Sequence, residues 1–241
     1  MTNKEKIKLL NKYIKESNNI IFFGGAGVST ESGIKDFRSV DGLYNEKYDY
    51  PPEEILSHSF FINNTKEFYK FYKDKMNCLN IKPNICHKYL TKLEQSGKLK
   101  AIITQNIDGL HQKANSKNIL ELHGTIYKNY CMKCNKFYDA ENIFNSNDIP
   151  KCSCGGIIKP DVVLYEEPLN EDTINKTINY ISNADLLIIG GTSLTVYPAS
   201  SFIRFFRGKH LIIINRDITP MDNIANLVIN DSLGNVFKNL N

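Results

Sequence analysis

Four of the six cysteines form two close pairs, Cys131-Met132-Lys133-Cys134 and Cys152-Ser153-Cys154, the second running into Gly155-Gly156. Two thiol pairs, with glycines that let the backbone turn tightly around sulfur, suit a four-thiolate tetrahedral zinc site. Because protein fills every coordination position, such a zinc would be structural and not catalytic. The one-residue spacing of the second pair is less common than a two-residue spacing but geometrically feasible. Disulfides are the alternative, and a reducing compartment weighs against them. Cys78 and Cys86 have no partners at ligand spacing and read as ordinary residues.

Three further clusters each follow a short apolar run, and a fourth surrounds a histidine. Gly25-Ala26-Gly27-Val28-Ser29-Thr30 carries the first two glycines of a dinucleotide-binding turn, with Thr30 where the third would stand. Glycines suit a pyrophosphate because backbone N–H groups must approach it closely. A plain structural turn explains the same residues. Thr104-Gln105-Asn106-Ile107-Asp108-Gly109-Leu110-His111 is either a polar ligand-binding loop or a cap for the next helix. Gly190-Gly191-Thr192-Ser193 supplies glycines and hydroxyls for phosphate or ribose, and Asn215 holds a similar position further on. Finally, Glu121-Leu122-His123-Gly124-Thr125 places an imidazole in a short apolar context. It titrates near ~6.5 when unperturbed, so either general-base work or a structural role is open to it.

The elements that would position these clusters are legible from their patterning. Ile20–Phe23, Ala101–Thr104, Leu186–Ile189 and Leu211–Ile214 are uniformly apolar, too short for helices, and bounded by glycine or polar residues. Such runs predict strands of a parallel sheet covered on both faces. Ligands of these sheets sit beyond the carboxyl ends of the strands, where the glycine turn, the Thr104 loop, the Gly190 segment and Asn215 lie. Ile7, Leu10 and Ile14 predict an amphipathic helix over 4–15. Phe61, Phe68, Tyr72 and Met76 share one helical face within 59–76, a stripe that reads as core. Residues 131–156 have few large aliphatic side chains and need something besides a hydrophobic core to hold them.

The composition narrows the class. A length of 241 residues, 41% hydrophobic and 23% charged, describes a globular protein with a buried core. A net charge of +4 is too mild to imply a polyanion partner. No apolar run approaches the ~20 residues of a membrane span, and the opening Met-Thr-Asn-Lys-Glu-Lys contains no signal-peptide core. These features lead us to expect a cytoplasmic protein with reduced thiols, no membrane partner and no nucleic-acid partner.

Taken in chain order, the motifs resemble those of the sirtuins, NAD-dependent protein-lysine deacylases. The matching segments are Gly25–Ser29, Ser32-Gly33-Ile34, Asp36-Phe37-Arg38-Ser39, Gln105–Asp108, His123-Gly124, both cysteine pairs, Gly191–Leu194 and Pro198-Ala199; with Asn215, they span residues 24–215. The resemblance implies an α/β fold, a Rossmann-like parallel sheet with helices on both faces, plus a small domain made of a zinc ribbon and a helical insertion. It implies one catalytic domain over 1–241, with the helical insertion at about 38–82 and the ribbon at about 127–160.

By the same resemblance, Gly25, Ala26, Gly27, Thr30 and Arg38 would face the pyrophosphate side of NAD, and Gln105, Thr192, Ser193 and Asn215 its riboses. Phe37, Ile107 and Asp108 would form the nicotinamide pocket. Asn106 and His123 would be catalytic, His123 as general base for a ribose hydroxyl. Cys131, Cys134, Cys152 and Cys154 would hold one structural zinc. An acetylated-lysine protein or peptide would add as a strand between Val163-Leu164-Tyr165 and the segment containing Leu194 and Val196. The implied reaction transfers the acyl group to ADP-ribose as nicotinamide leaves, giving O-acyl-ADP-ribose.

Two positions depart from the family pattern, and one segment departs from that of the family's succinyl- or malonyl-preferring branch. Lys35 stands where proline usually precedes Asp36, and Glu166 replaces the usual glycine, predicting a more acidic groove at that point. The tyrosine-plus-arginine pair that binds succinyl or malonyl carboxylates is here Tyr69-Lys70-Phe71-Tyr72, without arginine, so acetyl or a longer apolar acyl group is favoured. An NAD hydrolase or ADP-ribosyltransferase using the same cleft is the alternative enzyme. A non-enzymatic zinc-ribbon module that binds nucleic acid is the alternative of another class.

Overall fold

The computed structural model describes residues 1–37, 42–43 and 48–240. The chain runs α1 (Asn3–Glu16), β1 (Ile20–Gly24), α2 (Pro52–Ile55), α3 (His58–Asn63), α4 (Thr65–Lys75), α5 (Ile85–Gln95) and β2 (Leu99–Thr104). Then follow α6 (Leu110–Lys113), β3 (Ile119–Glu121), β4 (Gly124–Cys131), β5 (Phe137–Tyr138), α7 (Ala140–Phe144) and β6 (Ile158–Val162). The last part comprises α8 (Glu171–Asn183), β7 (Leu186–Gly190), β8 (His210–Ile214), β9 (Leu227–Ile229) and α9 (Leu233–Lys238).

The expected strands pair into one six-stranded sheet of order β3-β2-β1-β7-β8-β9, parallel throughout. This is the Rossmann order, and the crevice opens where the chain departs from β1 in both directions. Register then brings the strand ends level. Gly24 pairs with both Thr104 and Gly190, and Gly190 with Ile214. The residues that follow each strand, Gly25, Gln105, Gly191 and Asn215, therefore meet along one edge. β3 and β9, three residues each, are too short to show a period in the sequence.

Alternation along the strands builds two cores. Ile20, Phe22, Ile102, Leu186, Ile188 and Ile212 face Leu10 and Ile14 of α1, Leu90 of α5 and Phe237 of α9. Ile21, Phe23, Ile103, Leu187, Ile189 and Ile213 face Ile181 of α8 and Phe202. Each fully buried Ile or Phe contributes about 1.5–3 kcal/mol. A third core joins α3 and α4 to the antiparallel sheet β5-β4-β6 through Phe61, Phe68, Tyr72, Ile126, Ile143 and Ile158. The helical insertion and the cysteine-bearing segment thus form one small lobe; positions 38–41 and 44–47 of the expected insertion lie outside the described residues. The stripe predicted over 59–76 is buried, but on two helices. Asn64, at φ −129° and ψ 44°, breaks the run between α3 and α4. Among the described residues, no helix is long and apolar enough to cross a membrane.

Two imidazoles, His87 on α5 and His111 on α6, are buried against each other with ring centroids 4.8 Å apart. Burial pushes His87 down to about 4 and His111 well below the ordinary histidine range, with His87 adding to the latter. In the unfolded chain both titrate near ~6.5. Below that pH the unfolded state takes up protons that the folded state refuses, so stability is full above it and declines as pH falls. Urea midpoints should drop between pH 7.5 and 5.5. A midpoint that holds or rises would contradict this account.

Candidate active site

The strand ends and the small lobe enclose a cavity of about 770 Å³, within the ~300–1,000 Å³ range of small-molecule sites. Ala26, Gly27, Thr30, Phe37, Gln105, Asn106, Ile107, Asp108, His123, Val163, Leu164, Tyr165, Thr192, Ser193, Val196 and Asn215 all line it, so residues from six separate stretches converge. Gly25 lies just behind the wall, its N–H bonded to the Gly190 carbonyl. The side chain of Leu194 is in the core beneath the sheet, leaving only its backbone for any peptide. Arg38 lies outside the described residues.

The glycine turn is held by its neighbour across the sheet. Gly27 N–H donates to the Gly191 carbonyl at 2.8 Å, and a Cβ on Gly27 would stand 2.7 Å from the Gly191 Cα. Only glycine allows that approach, and it leaves the Ala26-Gly27 backbone open to a ligand. Next to it, the Gln105 side-chain oxygen accepts from Thr192 Oγ1 at 3.1 Å. This turns the Gln105 amide nitrogen into a buried donor with no partner. An orphaned donor beside a side-chain-free cradle fits the hydroxyl-rich, anionic body of a dinucleotide.

His123 sits where β3 passes into β4. Its Nδ1 is 3.0 Å from the Gln105 carbonyl, an acceptor only, so Nδ1 carries the proton and Nε2 keeps its lone pair. Burial lowers the pKa of this imidazole, with the Gln105 bond opposing, and it therefore stays neutral at neutral pH. Gly124 has φ +74°, and a Cβ there would lie 2.0 Å from the Asp161 carbonyl oxygen. That close crossing lets the His123 carbonyl accept from Val163 N–H at 2.9 Å. The expected base and the expected peptide strand are thus joined by one backbone bond.

Asp108 is buried, and desolvation pushes its carboxyl above the ordinary carboxylate range. Ser29 Oγ donates to it at 2.6 Å and Leu110 N–H at 2.9 Å, both favouring the charged form. Asn106 Nδ2 donates to the same Ser29 oxygen at 3.1 Å. Ser29 therefore couples the glycine turn to the Asn106–Asp108 loop. It stands inside the quoted motif, yet nothing in its spacing identifies the partner 79 positions away.

In the small lobe the four thiols converge. Sγ separations are 3.5 Å for Cys131–Cys154, 3.6 Å for Cys134–Cys152 and 3.5 Å for Cys134–Cys154. All four lie within 4.8 Å of one another, and none is in a disulfide. Tetrahedral Zn–S bonds of ~2.3 Å give S–S edges of ~3.8 Å, so the donor set fits zinc. The short second pair is accommodated by a turn in which Cys152 N–H donates to the Gly156 carbonyl at 2.8 Å.

Glu166 lines the cavity and also has a structural partner. Its backbone is left-handed at φ +75°, and its carboxylate turns to the start of α3 to accept from Ser59 N–H at 2.8 Å and Ser59 Oγ at 2.6 Å. Glu166 thus keeps its place in the cavity wall while its carboxylate accepts from the start of α3, and the Ser59 bonds hold its carboxyl below the ordinary range. Glu167 behaves similarly, paired with His58 at 2.8 Å and Lys159 at 3.1 Å. The Tyr69 hydroxyl donates to the Ile158 carbonyl and ties α4 to β6. Lys73 donates to the Ser146 and Asp148 carbonyls, so neither side chain is left for an acyl carboxylate.

Comparison with known proteins agrees with this geometry. The Sir2 family model matches residues 25–198. An NAD-dependent protein deacetylase of Clostridium tetani is 59% identical over 233 residues, covering 95% of this chain and 94% of that protein. One of Clostridium perfringens is 59% identical over 236 residues, covering 96% and 97%. Among solved structures, a Sir2 complex with a p53 peptide and NAD+ has a TM-score of 0.86 at 38% identity, covering 96% of this chain and 95% of that one. A Sir2 variant with deacetylated p53 peptide and 3′-O-acetyl ADP ribose has a TM-score of 0.89 at 38% identity, covering 96% of each chain.

Proposed function

This chain belongs to the Sir2 family, and from that premise we propose that it is an NAD-dependent protein-lysine deacetylase whose cleft works through His123. The observation that carries the reading is the convergence of His123, the Asn106–Asp108 loop and the glycine turn in one cavity, with the 163–165 strand bonded to His123 itself. When bound, NAD supplies ADP-ribose as the acyl acceptor and nicotinamide as the leaving group.

The protein's own contributions are separable. Ala26, Gly27 and Thr30 present backbone and hydroxyl to the pyrophosphate. The orphaned Gln105 amide, Thr192, Ser193 and Asn215 take the ribose hydroxyls. Phe37 and Ile107 exclude water around Asp108, which accepts from the carboxamide; its Ser29 and Leu110 donors favour the charged form against the burial that opposes it. Asn106, oriented by Ser29, orders the reactive ribose. His123 Nε2 removes the hydroxyl proton, and the Gln105 carbonyl steadies the imidazolium that results.

The acylated peptide adds as a strand against Val163–Tyr165, giving affinity through backbone bonds with little sequence preference. The engaged Tyr69 and Lys73 side chains support acetyl, or a longer apolar acyl group, over succinyl or malonyl. Zinc on the four thiolates would hold the lobe that carries β4 and β6, with every coordination position filled by protein and none open to substrate.

The test is mass spectrometry of products from NAD incubated with acetylated, succinylated and long-chain acylated peptides. We expect deacetylated peptide and O-acetyl-ADP-ribose in equal amounts, with succinyl peptide largely untouched. Nicotinamide and free ADP-ribose formed at the same rate without peptide would overturn the assignment in favour of an NAD hydrolase.

A further inference from the structure

Lys113 ends α6, the short helix that begins just after Asp108, and its exposed side chain folds its ammonium onto backbone carbonyls. Nζ donates to the carbonyls of Leu79 at 2.7 Å and of Cys78 and Ile81 at 3.3 Å each. An ammonium has three protons and no acceptor, so this three-carbonyl nest saturates it. Beneath it lies the Tyr127 ring, with Nζ 5.5 Å from the centroid, a cation–π arrangement. That ring in turn packs on Gly109, where any Cβ would stand 2.5 Å from it.

The clamped segment is a tight turn. Ile81 N–H donates to the Cys78 carbonyl at 3.1 Å, and both residues line the cavity. The Cys78 thiol reaches the Asp108 carbonyl at 3.6 Å. One face of the turn thus forms cavity wall beside Asp108, and the opposite side is fastened by Lys113. The ammonium's charge also acts on Asp108 and pulls its carboxyl down against the burial that pushes it up.

We propose that Lys113 is a positioning residue for the nicotinamide end of the cleft: through the carbonyls of Cys78, Leu79 and Ile81 it holds the 78–81 turn against the Asp108 loop. Lys113 touches no reacting atom. It fixes the wall that Asp108 works against, and it does so with a charge-assisted contact that a neutral side chain of similar length cannot replace. This inference rests on the assignment of Asp108 to the nicotinamide pocket.

Three variants test it: Lys113→Gln, Lys113→Arg and, as a control, Lys98→Gln. Lys98 makes a comparable three-carbonyl clamp to Ile14, Lys15 and Ser17 at the end of α1, remote from the cavity. Hydrogen exchange across 77–83 is measured together with steady-state kinetics on an acetylated peptide and nicotinamide product inhibition. Loss of one charge-assisted clamp corresponds to about tenfold faster local exchange. We expect that acceleration in Lys113→Gln, with a similar weakening of nicotinamide inhibition, an unchanged peptide KM, and restoration of both properties by Lys113→Arg. Lys98→Gln should lower overall stability and leave nicotinamide inhibition as it was.

Native exchange and native inhibition in Lys113→Gln would overturn the proposal. So would equal loss of inhibition in Lys98→Gln, which would reduce the effect to general stability. A wild-type enzyme that transfers no acyl group would refute the proposed function instead, while the exchange measurement would still decide whether Lys113 clamps the turn.

Discussion

Replacement of His123 by alanine is expected to reduce deacetylation of an acetylated peptide by a factor on the order of 10²–10⁴, the range for removal of a positioned general base. The large effect follows from how singular this imidazole is. Its Nδ1 proton is committed to the Gln105 carbonyl, which leaves Nε2 as the basic atom in the cavity. The other residues assigned to NAD, from the glycine turn through Gln105 and Asp108 to Asn215, are untouched, so NAD should still raise the thermal midpoint of the variant. Affinity and chemistry should thus separate.

The pH profile checks the same assignment from another side. A base works unprotonated, and burial shifts the His123 pKa below the ordinary value of ~6.5. The acid limb of kcat/KM should therefore lie below that value and vanish in the alanine variant. Full turnover by the variant, or an acid limb well above neutrality, would rule out His123 as the base.

The second large effect is expected from Cys134→Ser, or from chelation. Structural zinc contributes an apparent ~10–16 kcal/mol in small zinc modules, more than the aliphatic contacts of a short three-stranded sheet supply. Cys134 is exposed, so its replacement opens no cavity and tests the ligand role directly. Loss of the ion should unfold the turns around the thiols. The damage should reach the cleft, because β4 starts at Gly124 beside His123 and β6 leads into Val163. We expect one zinc per wild-type chain by atomic emission, none in the variant, and loss of deacetylation in parallel. A metal-free preparation with full activity would contradict a structural zinc.

How much of this was legible beforehand differs from element to element. Four strands and the first helix could be read because burial on both faces, or on one helical stripe, leaves a local mark in residue type. β3 and β9 left no mark, since three residues complete no pattern. The break at Asn64 was invisible because the apolar stripe continues through it on both helices. Leu194 shows how position in a motif differs from orientation: Ser193 and Val196 line the cavity, while its left-handed backbone, φ +57°, accompanies a side chain buried in the core. Glu166 is similar, a charge whose location was evident and whose direction depended on Ser59.

The chain's linear order alone determined the class of protein, the thiol quartet and the motifs following the strands, because turn geometry, metal ligation and strand burial are demands met within a few consecutive residues. Only the folded arrangement decided which nitrogen of His123 is basic, that Ser29 joins Asn106 to Asp108, and that Lys113 grips a turn more than 30 positions earlier. Those contacts depend on sheet register and on how the small lobe closes over the strand ends. Both arise from the packing of distant segments, whose partners leave no periodic signal in either one.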